Sequence, residues 1–322
     1  MPRTDSRGPS DDLDMVVLDK RTAADGVVVV ELEHEGGDEL PAWSPGAHVD
    51  LVLDDDLVRQ YSLCGDPGNR RSWRIGVLRK AGGRGGSLRV HDDLQTGDKV
   101  RCRGPRNNFE LVEAAEYVFV AGGIGITPIL PMIAECAAAE RPWRLAYGGR
   151  ARESMAFVDE LEQHGNRVTL WPQDRAGLID LATELGASRP DVAVYCCGPE
   201  PLIDAVDEHC GTWPPGSLHV ERFRPAAVVS TEGDTAFEVV CDYSDVIVGV
   251  LPGMSVVQAL RDAGVDVPTS CGEGTCGTCE TVVLDGVPDH RDSYLTAEEH
   301  ASNEVMTPCC SRSCTPRLVL DL

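Results

Sequence analysis

The stretch Cys271-Gly-Glu-Gly-Thr-Cys276-Gly-Thr-Cys279 decides how the last part of the chain must fold. Its cysteines are separated by four residues and then by two, and Cys309 follows after a gap of 29. That is the plant-type spacing of thiolates around a [2Fe–2S] cluster. A structural zinc site usually presents two C-x2-C hooks, and a disulfide framework belongs to a secreted chain, so zinc or spare core thiols are the weaker alternatives. The glycines suit a loop wrapped round a small inorganic core. Gly272, Gly274 and Gly277 tolerate positive φ and let N–H groups turn toward sulfur. Cys310 lies beside Cys309, and only one of them can be the fourth ligand.

Working outward, 322 residues suffice for two or three domains, each with its own core. The formal charge of −24 argues against nucleic acid and anionic membrane surfaces as partners. Residues 232–322 hold 16 Asp/Glu and four Lys/Arg, so half of that charge sits there. The bland reading is a solvated acidic surface; the alternative is steering toward a basic partner. Thirteen cysteines without a secretory leader read as reduced thiols in the cytoplasm. Residues 1–12 read as a loose polar tail. Tyr117 to Ala134 runs 18 residues without a charge, yet it holds Gly122, Gly123, Gly125, Pro128 and Pro131. A strand, a glycine turn and a helix start explain it better than a membrane span.

Short alternating runs fill residues 13–112: Met15–Leu18, Gly26–Glu33, Ala47–Leu53, Val58–Leu63, Trp73–Arg79 and Asp98–Arg103. Six strands with one helix near Ser87–Leu94 predict a small antiparallel β-barrel. On one strand Arg59 and Tyr61 share a face, and Gln60 and Ser62 share the other. The run Gly82-Gly-Arg-Gly85-Gly86-Ser87 precedes the helical pattern, where it is either a phosphate cradle or a hairpin tip.

Residues 113–224 change rhythm, with buried strand patterns alternating with helical ones, which predicts a doubly wound parallel α/β sheet. The turn Gly122-Gly-Ile-Gly125-Ile-Thr127-Pro128 falls between the first strand and helix, as a packing turn or a dinucleotide loop. Cys196-Cys197-Gly198-Pro199-Glu200 ends a later strand, and a buried structural cysteine is the plain reading there. Arg150 and Asp174 follow two other strands; Asp174 favours NADH, whereas Arg150 suits a 2′-phosphate. Residues 225–235 read as a linker. The segment 236–322 has two strands, a helix at Val256–Ala263, the cysteine loop, a strand at Glu280–Leu284 and an edge strand at Leu318–Leu322.

Arg59-x-Tyr61-Ser62 with the glycine run resembles the flavin barrel of the ferredoxin reductase superfamily, and the two turns at Gly122 and Cys197 match its nicotinamide half. With a C-terminal ferredoxin in this order, the whole chain resembles the phthalate dioxygenase reductase family. Asp285-Gly-Val-Pro-Asp-His290-Arg-Asp-Ser-Tyr-Leu295 and the run from Ser311 to Leu322 look especially like vanillate O-demethylase reductase subunits. The resemblance implies a multidomain chain ending in a β-grasp plant-type ferredoxin domain. It places Arg59 and Ser87 on a flavin phosphate with Gly85 and Gly86, Tyr61 and Gln60 along the flavin, and Ser62 near its redox-active edge.

By the same resemblance Gly122, Gly123, Gly125, Thr127, Pro128, Gly198 and Pro199 hold NADH, and Cys197 contacts the nicotinamide. Phe223 stacks on the flavin, and alignment together with the 29-residue gap favours Cys309 as the fourth ligand. No aromatic residue lies between Trp73 and Phe109 to stack an adenine, which favours FMN over FAD. The expected activity is NADH-dependent electron transfer through FMN and the cluster to a partner oxygenase, of Rieske type or alternatively a cytochrome P450. A redox-sensing iron–sulfur binding protein is the reading from another class.

Overall fold

The computed structural model describes residues 12–54, 57–82, 85–223 and 233–322. Most of the tail, most of the linker, and Gly83 and Arg84 of the glycine run therefore lie outside the described residues. The chain divides into two compact units, Met1–Glu221 and Arg222–Leu322.

The first unit opens with six antiparallel strands: β1 Leu13–Ala24, β2 Val27–His34, β3 Ala47–Asp54, β4 Leu57–Ser62, β5 Ser72–Leu78 and β6 Lys99–Asn107. They order as β4-β3-β6-β1-β2-β5, and a bridge from Leu63 to Ile75 joins the two ends of the sheet. Alternation explains the inside: Val17, Val30, Leu32, Val49, Leu51, Trp73 and Ile75 are all buried in one cluster. Helix α1, Gly86–Asp92, follows the glycine run.

A parallel sheet follows, built from β7 Glu116–Gly122, β8 Trp143–Gly149, β9 Val168–Pro172, β10 Val192–Cys197 and β11 Leu218–Glu221 in the order β11-β10-β7-β8-β9. Its helices are α2 Ile126–Ala138, α3 Val158–Glu162, α4 Gln173–Ala176, α5 Leu181–Leu185 and α6 Glu200–Cys210. The uncharged run from Tyr117 is divided between β7, a short 3-10 turn and α2. No helix among the described residues is long and apolar enough to cross a membrane.

Barrel and sheet meet at a glycine. A Cβ on Gly76 of β5 would stand 2.8 Å from Cγ2 of Thr127 in α2. Around that contact Arg74 bonds to Glu160 at 3.2 Å, and its guanidinium lies 5.3 Å from the centre of the Phe157 ring.

The second unit carries β12 Phe237–Cys241, β13 Val246–Val250, α7 Val256–Asp262, β14 Thr281–Asp285, β15 Pro288–Asp289, α8 Ala297–Ser302, β16 Val305–Met306, β17 Arg312–Ser313 and β18 Arg317–Leu320. The main sheet orders as β13-β12-β18-β14-β16. The expected edge strand at Leu318–Leu322 is corrected: β18 lies in the middle, parallel to β12 and antiparallel to β14. Its Leu318 and Leu320 are wholly buried, which an edge strand does not require. Buried Asp234 takes hydrogen bonds or ion pairs from Arg291 at 2.8 Å and Arg312 at 3.3 Å, pinning the start of this unit.

Gly76→Val should destabilise the first unit by about 1–3 kcal/mol, because the added side chain overpacks the meeting point. Urea unfolding followed by tryptophan fluorescence checks this; an unchanged midpoint would contradict the close approach.

Candidate functional site

Arg59 lies across the start of α1. A Cβ on Gly86 would fall 2.4 Å from Cγ and 2.8 Å from Nε of Arg59, so only glycine admits the guanidinium there. Gly85 sits at the N-cap with φ 83°, in the left-handed region. The Arg59 side chain and the first turn of α1 thus lie together, with Arg59 Nη1 donating to Val58 O at 2.7 Å, at a place that suits an anion. Ser87 is placed at this turn, but its hydroxyl accepts from Lys80 N–H at 3.1 Å and donates to Lys80 O at 3.3 Å, closing the loop.

Along β4, Tyr61 packs on the barrel core, and burial pushes its phenol pKa upward despite Arg59. Gln60 Nε2 donates to the wholly buried Asp50 at 3.1 Å, and Arg106 holds the same oxygen. Ser62 is buried, and its hydroxyl has no hydrogen-bond partner among the described residues. An unmet hydroxyl there is what a reducible ring with polar atoms would satisfy. These residues fit a flavin.

In the parallel sheet two turns interleave at the carboxyl ends of adjacent strands. A Cβ on Gly125 would stand 2.2 Å from Cys197 O, and one on Gly122 would stand 2.5 Å from Pro199 Cδ. A Cβ on Gly198 would in turn stand 3.0 Å from Gly122 Cα. Gly123 takes φ 55°, and the Thr127 hydroxyl donates to Ile124 O at 2.9 Å, so the turn is held from within. Pro128 lies in the first turn of α2, where its missing N–H costs nothing. Such an edge, with backbone amides at a helix start, suits a dinucleotide. Arg150 and Asp174 come together at the next strand ends, with Asp174 N–H donating to Arg150 O at 3.1 Å.

Cys197 is wholly buried, and burial followed by Glu221 pushes its thiol pKa well up. Its Sγ lies 4.0 Å from Glu221 Oε2, a consequence of the parallel register Cys197↔Glu221. Glu221 is half-buried, and the burial of its carboxyl pushes its pKa up to about 8. The site thus offers two neutral, proton-bearing groups. The sequence alone does not single out Glu221 as a candidate, since only strand pairing puts it beside Cys197. Phe223 is exposed, two residues further on.

In the second unit Gly272, Gly274 and Gly277 have φ of 66°, 71° and 67°. The loop then aims Glu273 N–H and Thr275 N–H at Cys271 Sγ, at 3.3 and 3.4 Å, and Thr278 N–H at Cys276 Sγ, at 3.4 Å. Cys271, Cys276, Cys279 and Cys309 are all buried. The thiols of Cys276 and Cys309 hold Cys271 far below the usual thiol range. Cys309 also meets Cys279 and Cys310, and Cys310 Sγ lies 3.3 Å from Thr307 Oγ1 as well. Four converging sulfurs with N–H donors fit a thiolate-ligated iron–sulfur cluster.

Comparison with known proteins agrees with this division. The family of 2Fe-2S iron-sulfur cluster binding domains matches residues 240–314, and the oxidoreductase NAD-binding domain family matches 119–208. A vanillate O-demethylase oxidoreductase from a Pseudomonas species is 39% identical, over 96% of this chain and all of that protein. The solved phthalate dioxygenase reductase, described as a modular structure for electron transfer from pyridine nucleotides to [2Fe-2S], is 36% identical with a TM-score of 0.73, covering 97% of this chain and 98% of that one. An intact type IV self-sufficient cytochrome P450 monooxygenase is 40% identical with a TM-score of 0.89, covering all of this chain and 43% of that one. From its barrel to its cysteine loop, this chain belongs to the phthalate dioxygenase reductase family.

Proposed function

We propose that this protein is the reductase component of an oxygenase system, passing electrons from NADH through FMN and a [2Fe–2S] cluster to a Rieske-type aromatic O-demethylase or dioxygenase. The observation that carries this reading is the pairing, in one chain, of a dinucleotide edge with the four-sulfur loop. A flavin, when bound, accepts a hydride and releases its electrons singly, which joins a two-electron donor to a one-electron acceptor.

Arg59 and the start of α1 hold the flavin phosphate, Tyr61 packs along the ring and Ser62 donates at its reducible edge. Gly122, Gly123, Gly125, Gly198 and Pro199 seat the pyrophosphate, and Cys197 borders the nicotinamide. Glu221, protonated beside it, keeps anionic charge out of the hydride path. Cys271, Cys276, Cys279 and Cys309 ligate iron. The thirteen free thiols favour the cytoplasm as the compartment. The acidic second unit suits a basic acceptor surface. A P450 acceptor is the second reading, favoured by the full-length match to part of a self-sufficient P450.

Three experiments test these roles. Anaerobic NADH titration should bleach flavin and cluster bands together; flavin bleaching alone would break the route. Cys276→Ser should abolish cytochrome c reduction and spare ferricyanide reduction, and equal loss of both would refute the order. Glu221 holds its proton in the folded state up to about pH 8, whereas the unfolded group releases it near 4.5. Its contribution therefore makes stability fall as pH rises through that window. Glu221→Gln should flatten this dependence, so that its Tm gains on the parent between the two limits; parallel Tm curves would show an ordinary carboxylate.

A further inference from the structure

Between the third and fourth cluster cysteines lies a second group of metal-binding side chains that the electron route does not use. The box formed by Thr296 and Glu299 starts α8: Thr296 Oγ1 accepts from Glu299 N–H at 3.2 Å, and Glu299 Oε2 accepts from Thr296 N–H at 2.8 Å. The helix carries His300 to Asp292, with Nε2 3.3 Å from each carboxylate oxygen. It ends at Asn303, whose φ of 55° turns the chain back toward His290.

That cap settles the tautomer of His290. Asn303 Nδ2 donates to Ala301 O at 3.5 Å, so Oδ1 faces the ring and accepts from His290 Nε2–H at 3.3 Å. His290 Nδ1 then carries the lone pair. It is buried, has no hydrogen-bond partner among the described residues and faces Asp292 Oδ1 at 3.8 Å. The Asp292 side chain is wholly buried, and its other oxygen accepts from the N–H groups of Tyr294 at 3.1 Å and Leu295 at 2.7 Å. A cation would satisfy both the unpartnered His290 Nδ1 and the Asp292 carboxylate that it faces.

We propose that His290 Nδ1, Asp292 and His300 Nε2 bind a first-row divalent transition ion of the zinc class. One potential ligand atom from each of the three residues lies within 4.8 Å of the other two, with Asp292 Oδ1 3.8 Å from His290 Nδ1 and 3.3 Å from His300 Nε2. Two imidazoles and one carboxylate suit such an ion, whereas calcium and magnesium prefer all-oxygen sets. The bond from His290 to Asn303 is the outer-shell contact that orients a ligating imidazole. The rings stack with centroids 4.5 Å apart and 28° between planes, so an ion lying in both planes requires one ring to turn. His300, with 33% of its side chain exposed, has the room. Asp292 also packs on the cluster loop, since a Cβ on Gly274 would stand 2.8 Å from its Cα and Ser293 N–H donates to Gly274 O at 3.0 Å. A bound ion would brace that segment against the loop.

The test is zinc chloride titrated calorimetrically into the intact protein loaded with flavin and cluster, with zinc counted per chain after dialysis. A Cys314→Ser background removes the one exposed thiol among the described residues. One zinc per chain is expected, with affinity falling at least about tenfold in His300→Ala and in His290→Gln while flavin and iron contents hold. Zinc bound equally by both variants, or none retained by the parent, would overturn the site.

Discussion

The carbonyl of Cys197 occupies the space that any side chain at Gly125 would need. Much of the first unit depends on this contact between two backbones. It fixes the start of α2 against the end of β10, which holds the dinucleotide turn and the Cys197 thiol at one edge of the sheet. From α2 it extends through Thr127 to Gly76, and so to the barrel strand next to Ser62 and Leu63. A contact without side chains transmits position well, because no rotamer can absorb a displacement.

Charge is handled differently at the two ends of the proposed route. At the sheet edge proposed to take the dinucleotide, burial raises the pKa of the Cys197 thiol and of the Glu221 carboxyl, which favours their neutral forms. At the cysteine loop negative sulfur is instead surrounded by N–H donors from Glu273, Thr275 and Thr278. Neutralising by protonation suits a site that handles a hydride, whereas hydrogen bonding suits one that must hold permanent thiolates.

Local chemistry was legible in the sequence where it was written in consecutive residues. Left-handed glycines at 272, 274 and 277 followed from cysteine spacing, and the strand set of the barrel and parallel sheet followed from alternation and apolar runs. What depended on pairing was not legible. Glu221 became a candidate only through its register with Cys197, and β18 was expected at an edge because a terminal apolar run does not say which strands flank it. Gln60 and Ser87 shared motifs with binding residues, yet their side chains are engaged by Asp50 and by the Lys80 backbone, partners distant enough in sequence to leave no local signal. Helix α8 had a visible capping box at Thr296 and Glu299, but its six residues are too few for a periodic pattern.

The central position of β18 has a consequence for biosynthesis. Strand β12 waits for a partner about 80 residues downstream, and that partner follows every cysteine of the loop. During translation the thiols therefore leave the ribosome before the sheet that encloses them can close. Iron delivery to this unit must either follow synthesis of Leu320 or rely on a carrier that shields the open loop until then.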